Sequence, residues 1–273
     1  MISCTLAHRF ILRAPDDAVF RAIRYLDCNP DIAGAPLQDV DIVIERERGL
    51  YRVAENGLAT GEAADAKGVV EHLHLHLFQR ALEEFPERAL LHAACLRRGG
   101  RRLLIAGTKG AGKTTLALRL IEAGFSIEGD EQVFLDKDGV IARARACRVK
   151  EAGLHRFGGM AALIAGAPSY STEGYGTIFN VDPRWLGSSW RIEHGPVDVI
   201  IVLEPNHGGA SSIRALPATA LVQSLMPEVG LRETGRAAAI AAIAAMAARV
   251  PAFLLSLGDH AGALSGIKSA LNE

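Results

Sequence analysis

The residues best suited to chemistry lie between positions 107 and 131. "GTKGAGKT", residues 107 to 114, has the spacing G-x4-G-K-[ST]. Its glycines let the backbone curl until several N–H groups converge on phosphate oxygens, and the helix that follows adds its positive end. In such a loop Lys113 reaches the β- and γ-phosphates and Thr114 binds Mg2+. The predicted nucleotide-binding set is Gly107, Thr108, Lys109, Gly110, Ala111, Gly112, Lys113, Thr114 and Thr115. ATP, or another nucleoside triphosphate, with Mg2+ is the ligand they predict. The chain has six lysines, and two of them, Lys109 and Lys113, fall in this loop. The apolar run "LLIA" precedes the loop and the apolar-periodic "TTLALRLIEAG" follows it, which is the strand-then-helix setting the motif needs.

A second feature follows closely. "FSIEGDEQVF", residues 125 to 134, places Asp130 and Glu131 side by side at a strand end. A helix from Lys113 to about Ala123 crosses one face of a sheet, and "FSIE" returns to the edge from which the loop springs. A carboxylate there lies within reach of Mg2+ and the γ-phosphate. Many phosphate-loop proteins take this acid from a later apolar strand, of the kind seen here in "DVIIVLE". The early pair suits a transferase in which one carboxylate accepts a hydroxyl proton and another places the metal. Thr114, Asp130 and Glu131 are the candidate metal ligands. The plainer alternative is an acidic strand end.

Hairpin arithmetic adds a histidine. "LLHAACLRRGGRRLLIAG" reads as two strands joined at Gly99-Gly100. A two-residue turn pairs Arg98 with Arg101, which sets His92 opposite Gly107. From there it could bond a phosphate oxygen or tune Asp130; a one-residue slip would remove it. The catalytic candidates are thus Asp130, His92 and Lys113. Lys150 could also face the nucleotide, and Arg184 reads as a surface arginine beside a turn.

The elements around these residues fall into two groups. In residues 1–88 "HRFILRA" alternates as a strand, and "DDAVFRAIRYL" is helical after an acidic cap. "DVDIVIERERGLYRVAEN" is a hairpin turning near Arg48-Gly49. "KGVVEHLHLHLFQRALEEF" is a helix with Val70, Leu73, Leu77 and Ala81 on one stripe. Its "HLHLH" puts His72 and His76 four apart, yet no third ligand accompanies them, so a solvated histidine face is expected there. From 89 to 273 come the loop unit, a hairpin turning at Lys137-Asp138-Gly139, an irregular loop over 165 to 176, buried strands at "DVIIVLEP" and "AFLLSLG", and one or two helices over 216 to 249.

Composition narrows the function classes. The 273 residues are 49% hydrophobic and 22% charged with formal net charge −1, so no global basic field recruits nucleic acid or an anionic membrane. The alanine-based run "AAAIAAIAAMAARV" is short for a bilayer crossing and suits a buried helix. Four scattered cysteines give neither a zinc motif nor a disulfide framework, and the start of the chain is a poor signal peptide. A cytoplasmic protein is expected.

The residues "LLHAACL…LLIAGTKGAGKTTLALRLIEAGFSIEGDEQVFL" resemble the catalytic domain of the HPr kinase/phosphorylase family, above all its small kinase-like relatives in bacterial peptide-modification systems. That family's core is a strand histidine, a phosphate loop, and a glycine with a hydrophobic step into an Asp-Asp pair. His92, Gly107 to Thr114, Gly124 and Asp130-Glu131 occupy those positions. The resemblance implies an α/β phosphate-loop kinase domain with a mixed sheet, of a type shared with phosphoenolpyruvate carboxykinases, preceded by a small α+β N-terminal domain. It further implies that Asp130 takes the proton of a seryl hydroxyl. Glu131 replaces the second Asp, and the family's E-x-R-G-x-G signature has only a distorted counterpart in "STEGYGTIFN".

The expectation is an ATP- and Mg2+-dependent serine kinase acting on a peptide or small protein. The front domain would recognise the acceptor or mediate assembly, homo-oligomers included. A kinase of a free small molecule such as an amino acid, or a non-catalytic nucleotide sensor, would use the same loop.

Overall fold

The computed structural model describes residues 1–34, 36–172, 176–230 and 236–273. Its centre is a six-stranded mixed sheet in the order Ser126–Gly129, Ala93–Arg98, Arg101–Gly107, Val199–Pro205, Ala252–Leu257, Ser212–Ala215. Arg101–Gly107, Val199–Pro205 and Ala252–Leu257 run parallel, and the flanking pairings are antiparallel. The middle strands are near-continuous apolar runs because helices cover both faces. Leu103, Ile105, Ile201 and Leu203 pack in one core with helices Lys113–Ile121 and His260–Ala270. Leu104, Ala106, Ile200 and Val202 pack in the other with Ala218–Leu225 and Arg236–Arg249.

The hairpin at Gly99-Gly100 keeps the predicted register from Arg98↔Arg101 to Ala93↔Ala106. The strand expected to continue through His92 is broken there. Ala89–Leu91 turns away to pair with Val133–Leu135, in a four-stranded sheet that also holds Val140–Ala142 and Val229–Gly230. The His92 N–H donates to the Glu228 carbonyl at 2.9 Å, so this residue is the joint between two sheets.

The front residues form a five-stranded sheet in the order Ile2–Cys4, His8–Arg13, Gln38–Glu47, Leu50–Glu55, Leu58–Ala63. Helices Asp17–Ile23 and Ala66–Glu83 close its core around Phe10, Ile42, Val53 and Leu73. The turn falls on Arg48-Gly49, both with positive φ (49° and 88°), as a two-residue hairpin requires. The buried helix stripe runs through Val69 and not Val70. Its histidines are partly solvated, as expected, with His74 exposed and His72 and His76 half-buried, and each also has a protein partner. His72 meets Thr60 Oγ1 at 3.1 Å, His74 meets the Tyr25 hydroxyl at 3.2 Å, and His76 meets Glu55 Oε2 at 2.6 Å.

Two further predicted segments are more regular than their composition suggested. Residues 165 to 176 are the end of helix Ala161–Ala165 followed by a hairpin, Ser169–Thr172 against Gly176–Val181. Residues 173 to 175, within "STEGYGTIFN", lie outside the described residues. Over 216 to 249 there are the helices Ala218–Leu225 and Arg236–Arg249, with the short strand Val229–Gly230 between them. Among the described residues no helix is long and apolar enough to cross a membrane.

Candidate active site

Gly107 ends its strand at φ 144°, and a Cβ there would stand 2.9 Å from the Leu203 carbonyl oxygen of the next strand. Only glycine fits so close a backbone approach, and it lets the chain leave the sheet as a loop. The loop then folds on itself: Ala111 N–H donates to the Thr108 carbonyl at 3.0 Å, and helix Lys113–Ile121 begins at Gly112. Lys113 is 5% exposed, and its Nζ donates to the carbonyls of Gly107 at 2.5 Å and Thr108 at 3.0 Å. Burial holds its pKa below the usual lysine range, partly opposed by the charges of Glu228, Asp130 and Glu131.

Strand Ser126–Gly129 brings the acidic pair to this loop, and a buried ion pair fixes the strand. Arg102 Nε donates to Glu128 Oε2 at 2.6 Å with both side chains almost inaccessible, and Trp190 Nε1 donates to the Glu128 carbonyl at 3.1 Å. The register shifts between Ile127 and Gly129, and a Cβ on Gly129 would lie 2.6 Å from that of Ala142. The bulge turns the chain so that Asp130 points under the helix start.

Asp130 and Glu131 are neighbours in opposite environments. Asp130 is 1% exposed; its Oδ2 accepts from Thr114 Oγ1 at 2.7 Å, and its Oδ1 is buried with no hydrogen-bond partner. Burial, with the charge of Glu131, pushes its pKa up to about 6 against the Thr114 hydrogen bond. Glu131 sits in left-handed backbone at φ 67° and reaches Arg145 at 2.8 Å and Arg148 at 3.5 Å. Burial raises its pKa, but these arginines and His92 outweigh it and leave the carboxyl below its ordinary range.

A pocket of about 430 Å3 opens over the loop, lined among others by Lys109, Lys113, Thr114, Thr115, Glu131 and His92. Lys150 and Arg148 also line it. A second hollow of about 330 Å3 meets it at Gly110, Gly112, Thr115 and Arg156. Lys109, Gly110, Gly112, Lys113, Thr114, Thr115, His92 and Glu131 therefore share one pocket, whereas Ala111 lines the second hollow and Gly107 and Thr108 accept from Lys113 without lining either. Asp130 lies behind Thr114 and is not part of the pocket wall, and Glu131 is engaged by arginines. His92 is on the wall, its Nδ1 3.1 Å from Glu228 Oε2; burial and Lys113 keep its pKa low while Glu228 opposes them. Arg184 is elsewhere, bonded to Asp182 at 2.9 Å.

Sequence reasoning missed Glu228, Arg145, Arg148 and Arg156. The arginines of "RARACRVK" were legible as charge, but nothing local indicated that two of them, Arg145 and Arg148, converge on Glu131. For a divalent cation, the orphaned buried oxygen of Asp130 beside a threonine hydroxyl is a fitting donor set. Among the described residues no group of three or more His, Cys, Asp or Glu side chains forms a metal cluster.

No protein-family model and no curated protein sequence matches the chain. Among solved structures it is similar to the Hpr(Ser) kinase/phosphatase from Coxiella burnetii, at 16% identity over 67% of this chain and 88% of that one. The TM-score of that superposition is 0.34, too low to carry weight for fold or function.

Proposed function

We propose that the chain is an ATP- and Mg2+-dependent phosphotransferase that moves the γ-phosphate to a hydroxyl, the acceptor being a serine of a peptide or small protein. The observation that carries this is the divided carboxylate pair behind a phosphate loop: Asp130 is buried against the Thr114 hydroxyl with its other oxygen unpartnered, while its neighbour Glu131 is tied to Arg145 and Arg148, an arrangement that raises the pKa of the first and lowers that of the second. Two adjacent acids pushed apart in this way mark a proton acceptor and a fixed charge.

In this reading the loop amides bind the triphosphate, and Lys113 exchanges its two carbonyl contacts for phosphate oxygens. Thr114 and Asp130 hold Mg2+, which when bound neutralises charge on the phosphates. Thr114 now occupies Asp130 Oδ2. Were that hydroxyl to serve as a metal donor, Asp130 Oδ2 would be left free as the candidate acceptor of the substrate hydroxyl's proton. Glu131 holds Arg148 on the pocket wall and Arg145 behind it, and His92, anchored by Glu228, presents its other ring nitrogen to the pocket. Strand Gly176–Val181 borders the site through Ile178 and is the candidate cover that excludes water.

The test is Asp130→Asn with ATP binding and phosphate transfer measured separately. Candidate serine peptides incubated with Mg2+ and ATP should gain about 80 Da per phosphate, and the variant should bind ATP yet lose turnover by about 10²-fold or more. Equal turnover in the variant would remove Asp130 from the chemistry. If ATP binds and no peptide gains mass, a metabolite screen distinguishes a small-molecule kinase from a nucleotide sensor.

A further inference from the structure

Between the front sheet and the segment after Asp130 lies a cavity of about 50 Å3. Tyr25 and His74 wall it on the front side, and Arg143, Arg145 and Asn180 on the other; among the described residues its lining contains no carboxylate. Asn180 is 7% exposed, and its Nδ2 has no hydrogen-bond partner. Arg143 Nε is likewise buried and unpartnered. The remaining contacts of Arg143 are neutral: Gln132 Oε1 and the face of Phe78, 4.9 Å from its guanidinium carbon.

The nearest acids are already engaged. Glu131 is shared between Arg145 and Arg148, and Glu84 is bonded to His8 and to the amides of Leu6 and Ala7. One guanidinium nitrogen, Arg143 Nε, and the Asn180 amide are therefore buried without an acceptor among the residues of this cavity, beside the positive charge of Arg145, and each buried donor left unmade costs about 1–3 kcal/mol. Size selects the ligand class. One water needs roughly 10–15 Å3 of such space, so this cavity holds three or four oxygen-sized atoms. That is a carboxylate or phosphate group, and far less than a nucleotide.

We propose that this cavity is an oxyanion site, binding a carboxylate or phosphate group between the front sheet and the phosphate-loop unit through Arg143, Arg145 and Asn180. The site is separate from the nucleotide pocket and does not depend on the kinase reading. Arg145 connects the two, since it lines the cavity and also holds Glu131 on the pocket wall.

The test uses the full chain with its phosphate loop saturated by Mg2+ and a non-hydrolysable ATP analogue, so that the loop cannot take the probe. Inorganic phosphate is titrated in one arm, with calorimetry and thermal unfolding as readouts. A serine peptide carrying one aspartate, against its asparagine counterpart, is titrated in the other. Phosphate binding alone identifies a free anion, and preference for the aspartate peptide identifies an acidic acceptor. Arg143→Gln should weaken the responding probe at least about tenfold. Asn180→Asp should fill the site with its own carboxylate, raising the unfolding midpoint without probe and abolishing the response. Absence of any response in the wild type, or a response that survives both substitutions, would overturn the proposal. If the analogue itself fails to bind, the nucleotide reading fails, while Asn180→Asp still reports on the cavity.

Discussion

Asp130 bears the largest conflict between stability and chemistry at the residue scale. Its pKa is raised to about 6 by burial, from an ordinary 3.8, so the folded protein binds more protons than the unfolded chain between those values. Stability should therefore fall as pH rises through that window, and the full penalty persists above it. A gap of about two units corresponds to on the order of 3 kcal/mol. Asp130→Asn keeps the shape and an acceptor for Thr114 while removing the charge. The ligand-free variant should be more stable than the wild type at pH 7.5, by about 1–3 kcal/mol, and the two should converge near pH 4. Urea unfolding at both pH values checks this, and equal midpoints at pH 7.5 would mean that the buried charge is compensated. The loop and the acidic pair were legible because their partners are local: Thr114 and Asp130 are 16 positions apart. His92 meets Glu228 across 136 positions, a distance no spacing rule spans.

At the element scale, the two-residue turn at Gly99-Gly100 fixed the register by arithmetic, and the pairs from Arg98↔Arg101 to Ala93↔Ala106 follow it. The break at His92 was not legible, because it depends on a competing partner strand, Val133–Leu135, in another sheet. The helix stripe was misplaced by one residue for a similar reason: "GVV" offers two equivalent valines, and the sheet beneath chooses Val69. What places the acidic strand is the Arg102–Glu128 pair, whose partners are 3% and 1% exposed. Glu128→Gln would leave the buried guanidinium with a neutral partner and should cost about 3–5 kcal/mol. Replacing both, Arg102→Met with Glu128→Leu, should cost clearly less than the sum of the single changes, because no uncompensated charge remains. Denaturant midpoints of the four proteins in this cycle measure the coupling. Strict additivity would show that the strand is held by something else.

For the whole molecule the central question is whether the front residues form a separable unit. Composition suggested a boundary at 88/89, and the front sheet does have a core of its own in Phe10, Ile42, Val53 and Leu73. Yet Cys4 and Cys28 are buried in the core of the phosphate-loop unit, where Ile2, Leu6, Ile32, Leu82 and Phe85 also pack. Phe85 packs against Phe134 in a tilted arrangement with ring centroids 5.3 Å apart, and Asp31–Ile32 pairs in parallel with Arg191–Ile192. Burying a large apolar side chain is worth about 1.5–3 kcal/mol, and a whole domain is stable by only about 5–15. Withdrawing these side chains together removes an amount comparable to the entire stability. Residues 89 to 273 expressed alone should therefore lack fixed tertiary structure and fail to bind an ATP analogue, although every predicted nucleotide contact is present. The intact chain should unfold in one transition, with near-ultraviolet circular dichroism and nucleotide binding lost at the same urea concentration. A fragment that unfolds cooperatively at the midpoint of the full chain would instead make the front sheet an independent module. The cavity between Tyr25 and Arg143 would then be a docking joint and not part of a shared core.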